Sequence, residues 1–292
     1  MRIPVAIINW DAIEMTAVCI DYLRKRTASD EIEIHVLDNG SRDPSNLERL
    51  KQLKDAGKID RIISLQPNMG FSIAFNTLFQ ETAGDVFCYA SSDCIVSEGW
   101  LEAGLDSLLS DPLNAAVCSS IYDDVHSDLP DADREIPQLY GAIMFIRRSA
   151  MIDIGCFDYR NFSPAYSEEL DWSYRARKKG YSIMQSSNSI AYHNESYTMK
   201  KKYKESDIHL IRLTHRIKCR LYNWSLSDLR RGWKQYILET IDDAKGHTLH
   251  ILLLAFFKNI LILPSTIRER KKRQQLQTIT FDYPYRRNAE FM

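Results

Sequence analysis

Four short apolar runs, each closing on polar residues and each followed by a helix-like stretch, constrain this chain more than any other feature. IPVAIIN (3–9) leads into a helical segment to about Arg26, and IEIHVLD (32–38) into one from Pro44. RIISL (61–65) leads into one from Gly70, and DVFCYAS (85–91) into one from Ser97. Runs of strand character alternating with helical patterns predict a parallel sheet with helices on its faces. In the third helix Phe71, Ala74, Phe75, Leu78 and Phe79 fall on one stripe, which predicts core and not chemistry.

In open α/β sheets ligands bind in the crevice beyond the carboxyl ends of the strands. Those positions hold Asn9, DNGSRD (38–43), PNMG (67–70) and SSD (91–93). Beyond them, 111–137 reads as irregular and acidic (YDDVHSDLPDADREIP), either an active-site loop or a solvated connection. QLYGAIMFIRR (138–148) returns to strand character, SEELDWSYRARKKG (167–180) to helix, and SIAYHN (189–194) to a last strand. From about Lys200 to Gln277 the pattern is helical throughout. The expected division is therefore a catalytic unit over 1–199, with halves of about 1–110 and 111–199, and a helical extension over 200–292.

With 45% apolar and 26% charged residues in 292, the chain is an ordinary globular protein, and its net charge of −1 points to no partner. The six cysteines have no ligand-like spacing and read as reduced, buried thiols. MRIPVAIINWD turns polar too soon for a signal peptide, so a cytoplasmic location is expected. The N-x-S triplets at Asn161, Asn194 and Asn223 are then chance matches.

Several strand-end residues carry possible chemistry beside an ordinary structural role. Asp38 can accept from a base N–H while Asn39, Gly40 and Ser41 turn the chain around it; DNGS is also a common turn. Asp93 can bind Mg²⁺ or Mn²⁺, or it can cap a helix. Glu168, Glu169 and Asp171 open a helix, where the macrodipole favours acids without any function. Trp172 and Arg175 behind them can fix the helix, Arg175 pairing one carboxylate and leaving another as a base. His193 offers an imidazole to a metal or a phosphate, or is structural.

Taken in order, VAIINW, VLDNGSRD, PNMGFSIAFN, SSDCIVSEGWL, GAIMFIRR with GCFD, SEELDWSYRARKKGY and AYHNES resemble the family 2 glycosyltransferases with a GT-A fold, in particular a bacterial rhamnosyltransferase-like branch. The resemblance covers 3–198. It implies an α/β, Rossmann-like, mostly parallel central sheet flanked by helices, and an inverting transferase in cell-surface polysaccharide synthesis. The implied donor is dTDP-rhamnose or a UDP-sugar, and the implied acceptor a glycan or lipid-linked glycan. The resemblance implies that Asn9, Asp38, Asn39, Asn68, Gly70, Asn76 and Ser92 serve the nucleotide-sugar, with Asp38 on the base. It makes Asp93 the surviving carboxylate of a DXD-type motif and puts His193 near the metal, Mn²⁺ or Mg²⁺. Glu169 falls at the catalytic base, with Glu168 and Asp171 beside it, and Gly141, Ala142 and Trp172 fall on the acceptor side. Ser91 departs from the pattern, standing where many relatives have the first acid of that motif, and Glu169 replaces a frequent Asp. A nucleotidyltransferase lacks its glycine-rich phosphate loop here; a non-catalytic nucleotide-sugar-binding relative would be consistent with Ser91.

The run LHILLLAFFKNILIL (249–263) is shorter than a ~30 Å hydrocarbon core requires at ~1.5 Å per residue. With the basic block Arg268, Arg270, Lys271, Lys272 and Arg273 after it, and Trp224 and Trp233 before it, it reads as a surface-lying helix on the inner face of the cell membrane. The alternative is packing on the catalytic unit or on a second subunit in a homodimer. The block is too local to suggest nucleic-acid binding.

Overall fold

The computed structural model describes residues 2–122, 129–193, 202–242 and 249–292. The first half follows the expected alternation: β1 (Ile3–Asn9), α1 (Ile13–Arg26), β2 (Ile32–Asn39), α2 (Ser45–Asp55), β3 (Arg61–Leu65), α3 (Phe71–Glu81) and β4 (Val86–Ser91). There follow β5 (Cys94–Val96), α4 (Trp100–Leu109), β6 (Asn114–Tyr122), β7 (Arg134–Glu135), β8 (Ile143–Arg147), α5 (Arg148–Ile154), α6 (Glu168–Lys178) and β9 (Ser182–His193). Helices α7 (Glu205–Asn223), α8 (Leu226–Asp242), α9 (Leu249–Leu261) and α10 (Leu263–Gln274) precede a short strand, β10 (Ala289–Phe291).

These strands form one mixed sheet in the order β10-β3-β2-β1-β4-β8-β6-β9-β5, with β7 on β9. Pairs β3–β2, β2–β1 and β1–β4 are parallel, as the alternation predicts. Past β4 the sheet turns antiparallel through β8 and β6, and only β6–β9 runs parallel again. Because the chain leaves β1 toward β2 and β3 and returns to β4 on its other side, β1 and β4 flank a switch point. A crevice opens there beyond Asn9 and Ser91.

One apolar layer packs α1, α2 and α4 on one face of the sheet, centred on Ile20, Leu50, Trp100 and Phe145. The other packs α3, α5 and α6 on the opposite face, where Phe75 stacks on Phe157 with ring centroids 4.3 Å apart. Of the expected stripe on α3, Ala74, Phe75 and Leu78 are fully buried, and Phe71 and Phe79 pack at its margin. All six cysteines are free and buried.

Four elements differ from the sequence reading. Strand β6 occupies 114–122, inside the stretch expected to be irregular. Its NAAVCSSIY is almost wholly buried but built from small residues, so it carries little of the β-branched signal. Strand β5 precedes α4, which starts at Trp100 after Gly99 in a left-handed conformation and not at Ser97. Strand β9 is 12 residues long and begins at Ser182, its serines 186, 187 and 189 hiding it from a hydrophobicity scan. Finally, the C-terminal segment is not part of a helical appendage. Cys156 donates its N–H to the Ile279 carbonyl, Tyr285 is buried among the residues around α3, and β10 pairs antiparallel with β3. The chain end thus covers a sheet edge that would otherwise present unpaired backbone groups.

Helix α7 packs against α6, α9 and α10. Among the described residues, no single helix is long and apolar enough to cross a membrane; α9 and α10 meet that requirement only together, and they bend by 75° at their junction.

Close packing of α4 on the sheet depends on Gly104, where an added Cβ would lie 2.1 Å from the ring of fully buried Phe145. Gly104→Ala is therefore expected to destabilise the protein by about 1–3 kcal/mol through overpacking. Urea unfolding checks this as a lowered midpoint at unchanged slope.

Candidate active site

Beyond the ends of β1, β2 and β4 lies a cavity of about 810 Å³, within the range typical of small-molecule sites. Its walls include Asn39, Asn68, Gly70, Ser92, Asp93, Gly141, Ala142, Glu168, Glu169 and His193, ten of the residues singled out from the sequence. They arrive from β2, the loop after β3, the β4–β5 turn, the approach to β8, the start of α6 and the end of β9.

Local structure explains why they meet. Asn39 accepts from the Met69 N–H at 3.0 Å and donates to the Gly70 carbonyl at 3.2 Å, tying the end of β2 to the PNMG loop. Gly70 has φ +80, and a Cβ there would sit 2.8 Å from the Pro164 carbonyl oxygen, so only glycine fits without strain. Strand β5 pairs Cys94 with His193 across the ladder, which carries His193 back to the β4 turn. His193 Nε2 lies 3.1 Å from Asp93 Oδ1, and the Ser91 hydroxyl donates to the same oxygen at 2.5 Å.

Asp93, Cys94 and His193 place their ligand atoms within 4.8 Å of one another. Carboxylate and imidazole suit a divalent cation that completes its shell with diphosphate oxygens and water, so the donor set fits the expected metal. Cys94 is the softer donor of the three, and burial keeps its thiol well above its ordinary pKa.

Electrostatically the start of α6 is the unusual part. Glu168 is buried, and burial first, then the Glu169 charge, pushes its carboxyl well above the usual range. One of its oxygens, Oε2, has no hydrogen-bond partner among the described residues. Burial raises Glu169 to about 7. A carboxyl poised near neutrality in a cavity is what a general base requires. Glu169 Oε1 lies 3.0 Å from where a Cβ on Gly141 would be, so the absent side chain leaves the carboxylate room.

Five other expected site residues do not line the cavity. Asp38 is buried and accepts from Asn9 Nδ2 at 2.8 Å and from the Ser41 hydroxyl at 2.5 Å. Asn9 also accepts from Thr16 at 2.8 Å, so the two residues brace the loops around β1 and β2. Asn76 donates to the Phe157 carbonyl and accepts its N–H, fixing GCFD to α3. Trp172 is fully buried and donates to the Gly155 carbonyl at 3.0 Å. Asp171 is fully buried and accepts from Arg175 Nε at 2.9 Å and Arg273 Nε at 3.1 Å. Burial pushes its carboxyl up, but Arg273 and Arg175 outweigh this and hold it below its ordinary value. Arg175 thus fixes one carboxylate, Asp171, while Glu168 and Glu169 remain on the cavity.

The cavity also has walls the sequence did not announce: Trp10, Tyr89, Arg134, Gln138, Tyr140 and Gln185. Trp10 directly follows a strand-end residue, a signal that was available. Arg134, Ile136 and Pro137 belong to the acidic stretch, of which 123–128 lie outside the described residues; at this end Arg134 is in β7, with Ile136 and Pro137 after it, and all three line the cavity. Tyr203 and Arg212 come from the extension, Arg212 lying over the Tyr166 ring at 4.6 Å.

The model of glycosyl transferase family 2 matches residues 5–175, more than half the chain and the span that builds most of this cavity. The chain belongs to that family. A search of curated proteins finds no match for this family 2 glycosyltransferase. Among solved structures it is similar to the mannosyltransferase PcManGT of Pyrobaculum calidifontis, in complex with GDP-Man and Mn²⁺, at 12% identity and TM-score 0.61 over 94% of this chain and 84% of that one. It is also similar to GalNAc-T7 with UDP, GalNAc and Mn²⁺, at 14% identity and TM-score 0.67, covering 96% of this chain but 56% of that one. A third similar structure is S. aureus TarS 1-349 with UDP-GlcNAc, at 16% identity and TM-score 0.57, over 77% of this chain and 68% of that one. At these identities the likeness establishes a GT-A fold.

The raised carboxyls leave a mark on stability. A group whose folded pKa lies above its unfolded one stabilises at low pH and loses that contribution as pH rises. Glu168→Gln removes the titration, so its melting temperature relative to the parent protein is expected to climb between pH 5 and pH 8. A difference independent of pH would contradict the burial argument.

Proposed function

We propose that this family 2 glycosyltransferase is an inverting enzyme that moves a sugar from a nucleoside-diphosphate donor to a hydroxyl of a glycan or lipid-linked acceptor. The observation that carries this is Glu169, a half-buried carboxyl raised to about 7, in one cavity with Asp93 and His193. Asn39, Asn68, Gly70 and Ser92 shape the donor side, and Gly141 and Ala142 leave space for the acceptor next to Glu169. Glu169 takes the proton of the acceptor hydroxyl, and the oxygen forms a bond to the anomeric carbon. The bond from that carbon to the diphosphate breaks, its electron pair leaving with the nucleoside diphosphate, and the configuration inverts. Asp93 and His193 would hold a divalent cation, which when bound neutralises charge on the diphosphate. An imidazole ligand favours Mn²⁺ over Mg²⁺.

The donor we favour is dTDP-rhamnose or a UDP-sugar, and the context cell-surface polysaccharide synthesis. Support for a nucleotide-sugar as such comes from the similar structures, which hold GDP-mannose and UDP-N-acetylglucosamine. With Mn²⁺ the purified protein should release nucleoside diphosphate from one member of a donor panel; release of pyrophosphate would instead mark a nucleotidyltransferase. Turnover should fall about tenfold per unit below pH 7, because the base must be ionised. Glu169→Gln should lower it by about 10²–10⁴-fold while donor binding persists. Unchanged turnover in that variant would remove Glu169 from the chemistry and favour a non-catalytic role.

We further propose a peripheral position on the cytoplasmic face of a membrane. Helix α9 buries Ile251, Leu252 and Ala255 but exposes Leu253, Phe257 and Ile260, the last at 64%. Arg268, Lys271 and Lys272 are exposed on α10, the helix that follows. Apolar side chains flanked by cations suit an anionic lipid surface. The rest of the basic block does other work: Arg270 donates to the Leu221 and Trp224 carbonyls, and Arg273 is buried. The protein should float with vesicles containing phosphatidylglycerol and not with phosphatidylcholine alone, and Phe257→Ser with Ile260→Ser should abolish flotation. Equal flotation of the double variant would place the membrane contact elsewhere.

A further inference from the structure

Two helices of the C-terminal extension reach the candidate base from behind. Arg273 on α10 is only 2% exposed and lies between two buried acids. It binds Asp171 at 3.1 Å and also pairs with Asp158, which precedes the 159–167 loop. Asn223 at the end of α7 donates to the same Asp171 oxygen at 2.8 Å. Asp171 sits two residues after Glu169 on α6, so its anchoring sets the rotation and depth of that helix. At the helix start, Tyr166 and Ser167 have φ of 75 and 73, conformations that side chains other than glycine rarely adopt. Two such residues in succession are strained and persist only where surroundings hold them.

His215 on α7 supplies that hold. Its Nδ1 lies 2.9 Å from the Ala165 carbonyl and 3.1 Å from that of Tyr166. Both partners are acceptors, so Nδ1 carries the proton. Burial, helped by the Lys218 charge, keeps the ring below its ordinary pKa, at about 4, so it is a neutral donor at physiological pH.

We propose that the C-terminal helices are a brace for the active site, with Arg273 and His215 as positioning residues that hold Glu169 at the depth and orientation where it can take an acceptor proton. The inference rests on the glycosyltransferase reading for what Glu169 does, though not for how it is held. The brace also sets charge. Glu169 faces Glu168 on its own helix, Tyr89 from β4 and Cys118 from β6, with Arg134 and Arg212 on the same cavity, while Asp171 lies two residues on, turned to Arg175 and Arg273. Removing Arg273 takes one of the two arginines from Asp171, and the less compensated negative charge disfavours ionisation of Glu169.

The test uses the full chain and four variants: Arg273→Gln, Arg273→Lys, His215→Phe and His215→Asn. Cooperative thermal unfolding confirms which of them fold. The Glu169 carboxyl is titrated by NMR of protein carrying ¹³C-labelled glutamate, its signal assigned by its absence in Glu169→Gln. In Arg273→Gln the titration should move to higher pH by roughly half a unit or more, with Arg273→Lys close to the parent protein. Turnover in Arg273→Gln and in His215→Phe should fall by about tenfold or more while the donor KM stays nearly constant, because misplacing a reacting group costs rate more than binding. His215→Asn, which keeps an N–H donor at that position, should recover most of the loss. A folded Arg273→Gln protein with the parent's titration and turnover overturns the proposal. If Arg273→Gln does not fold, the His215 pair decides: equal turnover in His215→Phe and His215→Asn overturns it. If the wild-type chain transfers no sugar yet the titration still shifts, the brace stands and the glycosyltransferase reading fails.

Discussion

Three carboxylates within four residues begin one buried helix, and the rest of the site depends on how that charge is accommodated. Three buried charges without compensation are not tolerable at the cost of burying an ionised carboxylate. The protein resolves this in two ways at once. Asp171 stays ionised between Arg175 and Arg273. Among the described residues Glu168 and Glu169 have no cationic partner of that kind, and burial lifts both toward the protonated form. The same helix start thus holds a permanent anion that fixes it and a titrating carboxyl that can exchange protons near neutrality. The arrangement separates anchoring from chemistry by environment alone, since all three side chains belong to one turn.

This division explains which parts of the site the sequence could disclose. The alternation of β1 to β4 with their helices was readable because each strand is apolar and each ends in polar residues, and the crevice follows from topology. Asn39, Asn68, Asp93, Glu169 and His193 were readable for the same reason, being strand-end, loop or helix-start polar groups. Asp38, Asn9 and Asp171 sit at the same kinds of position, and Asn76 lies within α3, yet each is consumed by a neighbour, near in sequence for Asp38 and Asn9 (Ser41, Thr16) and distant for Asn76 and Asp171 (the Phe157 backbone, Arg273). Composition and spacing do not distinguish a carboxylate that faces a cavity from one that faces an arginine. Only the packed fold makes that distinction.

Arg273 shows the limit most sharply. In the sequence it is the last of five basic residues that look alike, and the block reads as one surface facing anionic lipid. Helical geometry splits it. Arg268, Lys271 and Lys272 face solvent, whereas Arg273 turns inward to Asp158 and Asp171. A helix of 3.6 residues per turn places successive residues about 100° apart, so a charge run necessarily spans more than one face. What decided the inward face was a pair of acids more than a hundred residues upstream. Strands β6 and β9 evaded the sequence reading for a related reason. Their serines and alanines are buried by neighbours and bonded across the ladder, as Ser119 to Ser189 at 2.7 Å, and not by any hydrophobic signal of their own.

The chain end bears on how the extension is attached. If α7 to α10 were tethered only through the segment after β9, their orientation against the catalytic sheet would rest on helix packing and a few buried ions. Instead the segment after α10 runs back across Gly155 and Cys156, stacks Phe281 on Tyr285, and adds β10 to β3. Gly155 has φ +93, and a Cβ there would lie 2.4 Å from the Ile279 nitrogen, so the returning strand fits against a position only glycine can occupy. The helices are therefore fastened at both ends to the same sheet that carries the cavity. Fixing both ends of a segment lowers the entropy lost when its interior contacts form. A contact such as Arg273 with Asp171 then forms within a closed loop and not at the end of a free arm, which lets two buried ion pairs hold α6 in register.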